Sequence, residues 1–198
     1  LASTQAITVT VTDVDEFDVG AVTDSNASAN QVAENAANGS TVGITAQASD
    51  ADGSNNTITY SLSNNAGGRF AINASTGVVT VADGTQLNYE SATSHNITVL
   101  ATSADGSTSS QSFTINVSDV DEFDVGAVSD SNAAANQVAE NAANGSTVGI
   151  TATAVDPDVL DTVSYTLSDD AGGRFQIDIA TGVVTVADGS LLDREAAA

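Results

Sequence analysis

The sequence DVDEFDVGAVTDSN occupies residues 13–26 and returns, with one change, as DVDEFDVGAVSDSN at residues 119–132. Further along, AGGRF returns 105 residues after its first occurrence, whereas the opening stretch returns after 106. The second copy has therefore lost one residue between these two motifs. A period of this length is the size of one small domain, so the 198-residue chain is predicted to hold tandem copies of one fold.

The frame of the repeat predicts where each copy begins and ends. The first residues, QAITVTVTD at 5–13, match QSFTINVSD at 111–119. The predicted organisation is the last strand of a preceding repeat at 1–12, a complete repeat at 13–118 with its linker at 13–16, and a second repeat at 119–198 with its linker at 119–122. The second repeat lacks its last two strands, so we expect part of its core to be exposed unless the parent protein or a neighbouring chain supplies them.

Apolar and polar side chains alternate along most of the chain, as in Val42, Ile44 and Ala46. A period of two is typical of half-buried β-strands, and turn pairs such as Asn38-Gly39 separate the runs. About seven short strands per repeat predict an all-β fold, in which each repeat is a seven-stranded Greek-key β-sandwich of immunoglobulin-like architecture.

The charge of the chain excludes several classes of function. Asp and Glu number 26 against 3 Lys and Arg, a net charge of -23. Nucleic-acid binding needs clustered basic residues, and anionic membranes repel such a chain. No apolar stretch approaches the roughly 20 residues that span a bilayer, so direct membrane insertion is not expected. Because cysteine is absent, disulfides and thiolate metal sites are excluded.

The carboxylates recur at fixed positions of the repeat. Asp50 and Asp52 lie two residues apart in a predicted turn, and Asp156 and Asp158 replace them in the second copy. Residues i and i+2 of an extended backbone point the same way, so each pair offers two carboxylates to one place. Such groups repel each other unless a cation lies between them, and oxygen ligands without Cys favour calcium. A solubilising acidic coat is the alternative, which the fixed repetition disfavours.

The ordered series AEN, DAD, LNYE or LDRE, and VSDVDE, beginning at residues 33, 50, 87, 192 and 117, resembles cadherin repeats. Specifically, it is similar to the cadherin-like tandem repeats of large bacterial surface and secreted (RTX-type) adhesins. The resemblance implies sandwich domains that bind Ca2+ at each junction between consecutive repeats. The linker DVDEF departs from the animal pattern DxNDN, and Asn88 replaces the carboxylate of LDRE, so the ion number at the middle junction stays open.

The resemblance also implies a set of calcium ligands. At the middle junction they are Glu34, Asn88, Glu90, Asp119, the Val120 carbonyl, Asp121, Glu122, Asp156, Asp158 and Asp161. At the N-terminal junction they are Asp13, Asp15, Glu16, Asp50, Asp52, Asp105 and the Asn55 carbonyl. Glu140, Asp193 and Glu195 are expected to serve a linker that follows the second repeat.

The leading hypothesis is a calcium-rigidified structural extender in a long extracellular, secreted or cell-surface adhesin that mediates cell-surface adhesion or biofilm attachment. Its partners would be neighbouring repeats of the same chain. The alternatives are a module that binds carbohydrate or another surface ligand, such as cell-surface glycans, and a filament subunit in which copies of the chain donate strands to one another. Enzyme activity is not expected, because His95 is the only histidine, expected to be exposed, and no aromatic cleft is evident.

Overall fold

The structure is a computed structural model that describes residues 1–12, 14–158 and 160–195. It divides into two compact units, Leu1–Val120 and Asp121–Ala198. Each unit is considered by itself below. Among the described residues, no helix has the length and apolar character that crossing a membrane requires.

The described part of the first unit is a two-sheet sandwich. Its strands, in chain order, are β1 (Thr23–Asp24), β2 (Gln31–Ala33), β3 (Thr41–Gln47), β4 (Ile58–Asn64), β5 (Phe70–Ile72), β6 (Val78–Val81), β7 (Ser94–Ser103) and β8 (Thr108–Ser118). One sheet has the order β1-β3-β6-β5 and the other β2-β8-β7-β4. The β2–β8 pair is parallel, whereas β7 and β8 form a long antiparallel hairpin.

The first strand of this sandwich is split between the two sheets. β1 pairs with β3, and β2 pairs with β8 in the other sheet. The connecting backbone crosses directly over Gly43, where a Cβ would lie 2.1 Å from the Ala29 carbonyl oxygen. Gly43 also has a φ of +84°, which favours glycine. With β1 and β2 counted as one strand, the described residues give seven strands, and the predicted all-β sandwich is confirmed.

The core lies between the two sheets and follows the predicted period of two. Val42, Ile44 and Ala46 of β3 alternate with more exposed residues, as Ile97, Val99 and Ala101 do in β7. Phe70 is the one fully buried aromatic side chain among the described residues, at 2% exposure. Burial of each large aliphatic or aromatic side chain stabilises the fold by about 1.5–3 kcal/mol, so this core is the main source of stability.

Residues 1–12, all of which the structure describes, do not form the predicted strand. Ile7, Val9 and Val11 alternate as a strand requires, but they are 79–89% exposed. A strand is stable only when its backbone groups pair with a neighbour, and no described strand pairs with this segment. The assignment of residues 1–12 to the last strand of a preceding repeat stays a prediction, because the described residues contain no other strand of such a repeat.

The described residues of the second unit form one sheet. Its strands are β9 (Ser129–Asp130), β10 (Thr147–Thr153), β11 (Phe175–Ile177) and β12 (Val183–Val186), in the order β11-β12-β10-β9. Residues 137–139 and 163–169, which correspond to β2 and β4, are not strands. In the first unit β2 and β4 pair with β8 and β7, and the described second unit contains no equivalent of either partner.

The open side of this single sheet exposes apolar side chains. An open cavity of about 570 Å³ is lined by Val138, Tyr165, Leu167 and Phe175, among others. The buried core of the second unit consists of Val148, Val184 and Val186. The boundaries assigned to the repeats from the sequence stay predictions.

His95 differs from the exposed position expected of it. It lies on the inward-facing side of β7, two residues before buried Ile97, and is half-buried. Its ring centroid is 6.1 Å from that of Phe70. Burial, followed by the positive charge of Arg69, lowers the pKa of His95. The histidine therefore lies at the edge of the core.

Candidate metal centres

One group of carboxylates lies at the end of the first unit where β3 finishes and β7 turns into β8. Oxygen atoms of Asp15, Asp52 and Asp105 lie within 4.8 Å of one another. Asp15 is exposed, Asp105 is half-buried and Asp52 is buried. The turn positions Asp105, whose carboxylate accepts hydrogen bonds from the N–H and the hydroxyl of Ser107 at 2.6 and 3.0 Å.

Asp52 holds the first linker segment against the repeat. Its two carboxylate oxygens accept hydrogen bonds from the N–H groups of Glu16 and Phe17, both at 3.1 Å. Burial raises the pKa of Asp52, but these hydrogen bonds outweigh it, so the pKa is lowered overall. The hydrogen bond with Asp52, with burial and repulsion from Asp105, raises the pKa of Asp15 to about 6. Three carboxylates in one place are thus electrostatically unfavourable without a cation.

Asp50 and Asn55 meet at Ser103, a residue that the sequence did not single out. The Ser103 hydroxyl donates to Asp50 Oδ2, and it also lies 3.1 Å from the Asn55 carbonyl oxygen. Asp50 Oδ1 accepts a hydrogen bond from the Asp52 N–H at 3.1 Å. Asp50 therefore holds the main chain of Asp52 in place. Glu16 is exposed and contributes its N–H to Asp52. Asp13 lies outside the described residues.

A second group lies at the other end of the first unit, where Glu34 follows β2. Oxygen atoms of Glu34, Glu90 and Asp119 lie within 4.8 Å of one another. Glu34 is only 2% exposed and accepts hydrogen bonds from the N–H groups of Tyr89 at 2.7 Å and Val120 at 2.9 Å. Glu34 thereby ties the LNYE segment and the start of the second linker to β2. Both carboxylate oxygens of Glu90 are buried and have no hydrogen-bond partner among the described residues.

Two predicted ligands near this group, Asn88 and Val120, make hydrogen bonds to other residues of the first unit. The Asn88 carbonyl oxygen Oδ1 accepts a hydrogen bond from the Ser91 N–H at 2.7 Å. Val120, predicted to offer its carbonyl, donates its N–H to Glu34. Glu122 is exposed.

The second unit contains a group formed by Asp121, Asp158 and Asp161, whose oxygen atoms again lie within 4.8 Å of one another. Asp158 is 2% exposed, and its Oδ2 accepts a hydrogen bond from the Phe123 N–H at 2.9 Å. Its Oδ1 is buried with no hydrogen-bond partner among the described residues. Repulsion from Asp161, then burial and repulsion from Asp158, raises the pKa of Asp121. A buried carboxylate oxygen without a donor, in a group of three carboxylates, is electrostatically unfavourable unless the charge of the group is neutralised.

Asp156 and a residue that the sequence analysis missed, Asp124, complete the surroundings of this group. Asp156 Oδ1 accepts a hydrogen bond from the Asp158 N–H at 3.2 Å. Asp121, Asp124, Asp156 and Asp161 line an open cleft of about 430 Å³. The signal for Asp124 was present in the sequence, because the repeated DEFD stretch places an aspartate at 18 and at 124.

The last group comprises Glu140, Asp193 and Glu195, with oxygen atoms within 4.8 Å of one another and all three residues exposed. The Arg194 N–H donates to Glu140 at 3.3 Å, in the way that the Tyr89 N–H donates to Glu34. The structure thus brings most of the predicted ligands into carboxylate groups. Their assignment as metal ligands stays a prediction.

These groups offer only oxygen donors, and the chain has no cysteine. Hard, all-oxygen donor sets suit calcium or magnesium, and flexible sets rich in carboxylates suit calcium better. The Asp158 group fits such an ion, because the buried Oδ1 has no other partner among the described residues.

Comparison with known proteins identifies the fold family. The family model described as "Cadherin domain" matches residues 28–118. These residues form a cadherin domain. The cadherin part of the sequence-based resemblance is therefore confirmed.

The curated relatives are animal cadherins far longer than this chain. Protocadherin Fat 4 of Homo sapiens is 38% identical over 148 residues, which is 71% of this chain and 3% of that protein. Cadherin-related family member 1a of Danio rerio is 33% identical over 166 residues, or 78% of this chain and 19% of that protein. The chain thus spans a small part of the relatives that it matches.

Solved cadherin structures share the fold. Mouse Cadherin-23 EC22-24 superposes with a TM-score of 0.66 at 27% identity, covering 89% of this chain and 56% of that one. The extracellular cadherin domains 3-6 of Protocadherin Gamma B2 superpose with a TM-score of 0.70 at 23% identity, covering 93% and 46%. Cadherin domains are structural adhesion modules that generally bind calcium, which is the context for the carboxylate groups described above.

Proposed function

We propose that the chain is a calcium-rigidified structural extender within a long extracellular adhesion protein. The observation that carries this proposal is the buried Asp158 Oδ1, which lacks a hydrogen-bond partner among the described residues, in a carboxylate that is grouped with those of Asp121 and Asp161. The cadherin family of residues 28–118 supports it, since cadherin domains generally bind calcium.

The chain's own residues hold each linker segment against a repeat. Asp52 accepts the N–H groups of Glu16 and Phe17, and Asp158 accepts the N–H of Phe123. Glu34 accepts the N–H of Val120 at the start of the second linker. When bound, calcium would neutralise the carboxylates that otherwise repel one another. With the repulsion removed, these hydrogen bonds keep the linker ordered, and the tandem array resists bending.

The proposed ligands fall into the groups already described. They are Asp15, Asp52 and Asp105; Glu34, Glu90 and Asp119; Asp121, Asp158 and Asp161; and Glu140, Asp193 and Glu195. Asp50 and Asp156 support them by accepting the N–H groups of Asp52 and Asp158.

Small-angle X-ray scattering on the 198-residue chain tests the extender mechanism. Calcium should change the radius of gyration and narrow the distribution of shapes relative to chelator. Asp158→Asn should weaken this response, whereas Asp169→Asn, which removes one exposed charge outside the groups, should retain it. Identical scattering with calcium and with chelator would contradict the mechanism.

A long bacterial surface adhesin, with a role in cell-surface adhesion or biofilm attachment, is the proposed setting. Its support is the near-identity of the repeats, such as the single change between residues 13–26 and 119–132, and the resemblance of their linkers. The relatives found by comparison are animal proteins, so they support the adhesion module rather than this setting.

Assembly by strand donation is a second candidate, favoured by two unpaired surfaces. Ile7, Val9 and Val11 are exposed, and in the sequence they correspond to Phe113, Ile115 and Val117 of β8. The second unit has an open apolar cavity that includes Val138, the counterpart of Val32 in β2. Mass measurement in solution should show oligomers that disappear when residues 1–12 are deleted. A concentration-independent monomer would rule out this candidate.

A further inference from the structure

A short 3₁₀ helix precedes the LNYE segment in the first unit and the LDRE segment in the second. The two helices are Gly84–Gln86 and Gly189–Leu191, and the leucine that opens each segment follows directly. In the first unit the Tyr89 N–H of this segment donates to Glu34 at 2.7 Å, and the equivalent bond of the second unit measures 3.3 Å. The position of the helix therefore determines where the acidic segment meets the glutamate.

The start of each helix lies against the turn that follows this glutamate. A Cβ on Gly84 would lie 1.9 Å from the Ala36 carbonyl oxygen, so the two main chains are in close contact. The Gly84 N–H also donates to Asn38 Oδ1 at 2.8 Å. Gly189 has an equally close contact, and its N–H donates to Asn144 Oδ1 at 2.8 Å. The first end of the helix is thus fixed in the same way in both units.

An arginine fixes the other end of the helix. Arg69 Nε donates to the Gln86 carbonyl oxygen at 3.0 Å, and its Nη1 donates to the Ala66 carbonyl oxygen at 2.8 Å. The last carbonyl groups of a helix have no partner within it, so they are free to accept such bonds. A planar guanidinium can reach two acceptors at once in a fixed geometry, which the ammonium of lysine does not reproduce.

Arg174 makes the equivalent two bonds in the second unit, where Nε donates to the Leu191 carbonyl oxygen at 3.0 Å. The described residues of this unit contain no equivalent of β7 or β8. The arginine contacts therefore form without the second sheet. Arg69 and Arg174 are two of only three basic residues among the Lys and Arg of a chain with a net charge of -23, and both donate to main-chain carbonyl groups.

We infer that Arg69 and Arg174 are positioning residues, which hold the end of the 3₁₀ helix so that the acidic segment behind it meets Glu34 or Glu140. The arginines act on these carboxylates through main-chain carbonyl groups. Because the carboxylates are proposed calcium ligands, the consequence for calcium binding rests on the proposed function. The carboxylates assembled in this way are Glu34, Glu90 and Asp119 in the first unit, and Glu140, Asp193 and Glu195 in the second.

Amide hydrogen exchange of the full 198-residue chain in chelator, followed by NMR, tests the positioning role without metal. Arg69→Gln should make the Tyr89 N–H exchange about 10-fold faster, because the segment loses its anchor, whereas the Ile44 N–H in β3 should exchange as in the wild type. Arg69→Lys keeps the charge but loses the paired donors, so it should also speed the exchange of Tyr89. Arg194→Gln is the matched control, since it removes an arginine from the second unit and should leave Tyr89 unchanged.

Unchanged exchange of Tyr89 in Arg69→Gln would overturn the inference. Equal acceleration at Tyr89 and Ile44 would also overturn it, because that result indicates a loss of overall stability. Far-UV circular dichroism checks that the variants fold, and Arg69→Lys provides the test if Arg69→Gln does not.

A calcium titration separates this inference from the proposed function. The Tyr89 amide shift should respond to calcium in the wild type, and in Arg69→Gln its midpoint should lie at about 10-fold higher calcium. An unchanged midpoint would overturn the influence of Arg69 on metal binding. A wild-type chain that takes up no calcium would overturn the proposed function, whereas the exchange result in chelator would still stand.

Discussion

The two units carry nearly the same sequence motifs but differ in how far their folds are completed. In the first unit, two sheets enclose a core that includes Phe70, Ile97 and Val99. The described second unit has one sheet, and its equivalent phenylalanine, Phe175, lines an open cavity. The local features are nevertheless shared, since Asp83 and Asp188 each cap a short 3₁₀ helix. Turns and caps thus form from local sequence, whereas the second sheet requires β7 and β8.

The largest expected effect is the difference in stability loss between Phe70→Ala and Phe175→Ala. Phe70 is fully buried, so its truncation should lower the free energy of unfolding of the first unit by about 3–5 kcal/mol. Phe175 is half-buried against an open cavity, so its truncation should have a clearly smaller effect. Urea unfolding followed by circular dichroism measures both. Equal losses would contradict the difference between the two cores.

The next effect in size is expected at an acidic position that the two units share. Glu34→Ala and Glu140→Ala change this position in the first and second unit. Loss of Glu34 leaves the N–H groups of Tyr89 and Val120 without their acceptor, which should cost about 1–3 kcal/mol of stability. Glu140 is exposed and accepts one longer bond, from Arg194 at 3.3 Å, so its loss should have little effect. Both are measured in chelator, so that metal binding does not contribute. A larger effect at Glu140 would contradict the geometry.

The smallest expected effect is a pH dependence that arises from Asp15. Its pKa is raised from 3.8 to about 6 in the metal-free fold, so the folded state binds the proton more tightly. The resulting stabilisation is fully present below pH 3.8 and is lost as the pH rises through about 6. Asp15→Asn should therefore flatten the dependence of stability on pH in this window. NMR titration of the Asp15 carboxyl checks the pKa directly, and an ordinary value near 3.8 in chelator would contradict it.

The sequence predicted the features that depend on short-range pattern. The alternation in β3 and β7 was readable from spacing alone. Features that depend on distant partners were not. Residues 1–12 alternate but pair with no strand among the described residues, and the neighbouring strands β1 and β2 lie in two different sheets.

The site shows the same limit. Ser103 joins Asp50 and the Asn55 carbonyl from a strand more than 40 residues away, and no local motif marks it. The inward position of His95, by contrast, follows from local pattern, because His95 shares the face of Ile97 and Val99 in β7.

The most direct test of the account is the thermal unfolding midpoint of the chain in calcium and in chelator, for the wild type and for Asp158→Asn. Calcium at about 100 times the dissociation constant should stabilise the fold by about 2.7 kcal/mol per site, and the midpoint should rise accordingly. Because Asp158 Oδ1 is a buried carboxylate oxygen without a donor among the described residues, Asp158→Asn should lose part of that rise. A wild-type midpoint that is the same in calcium and in chelator would contradict the account.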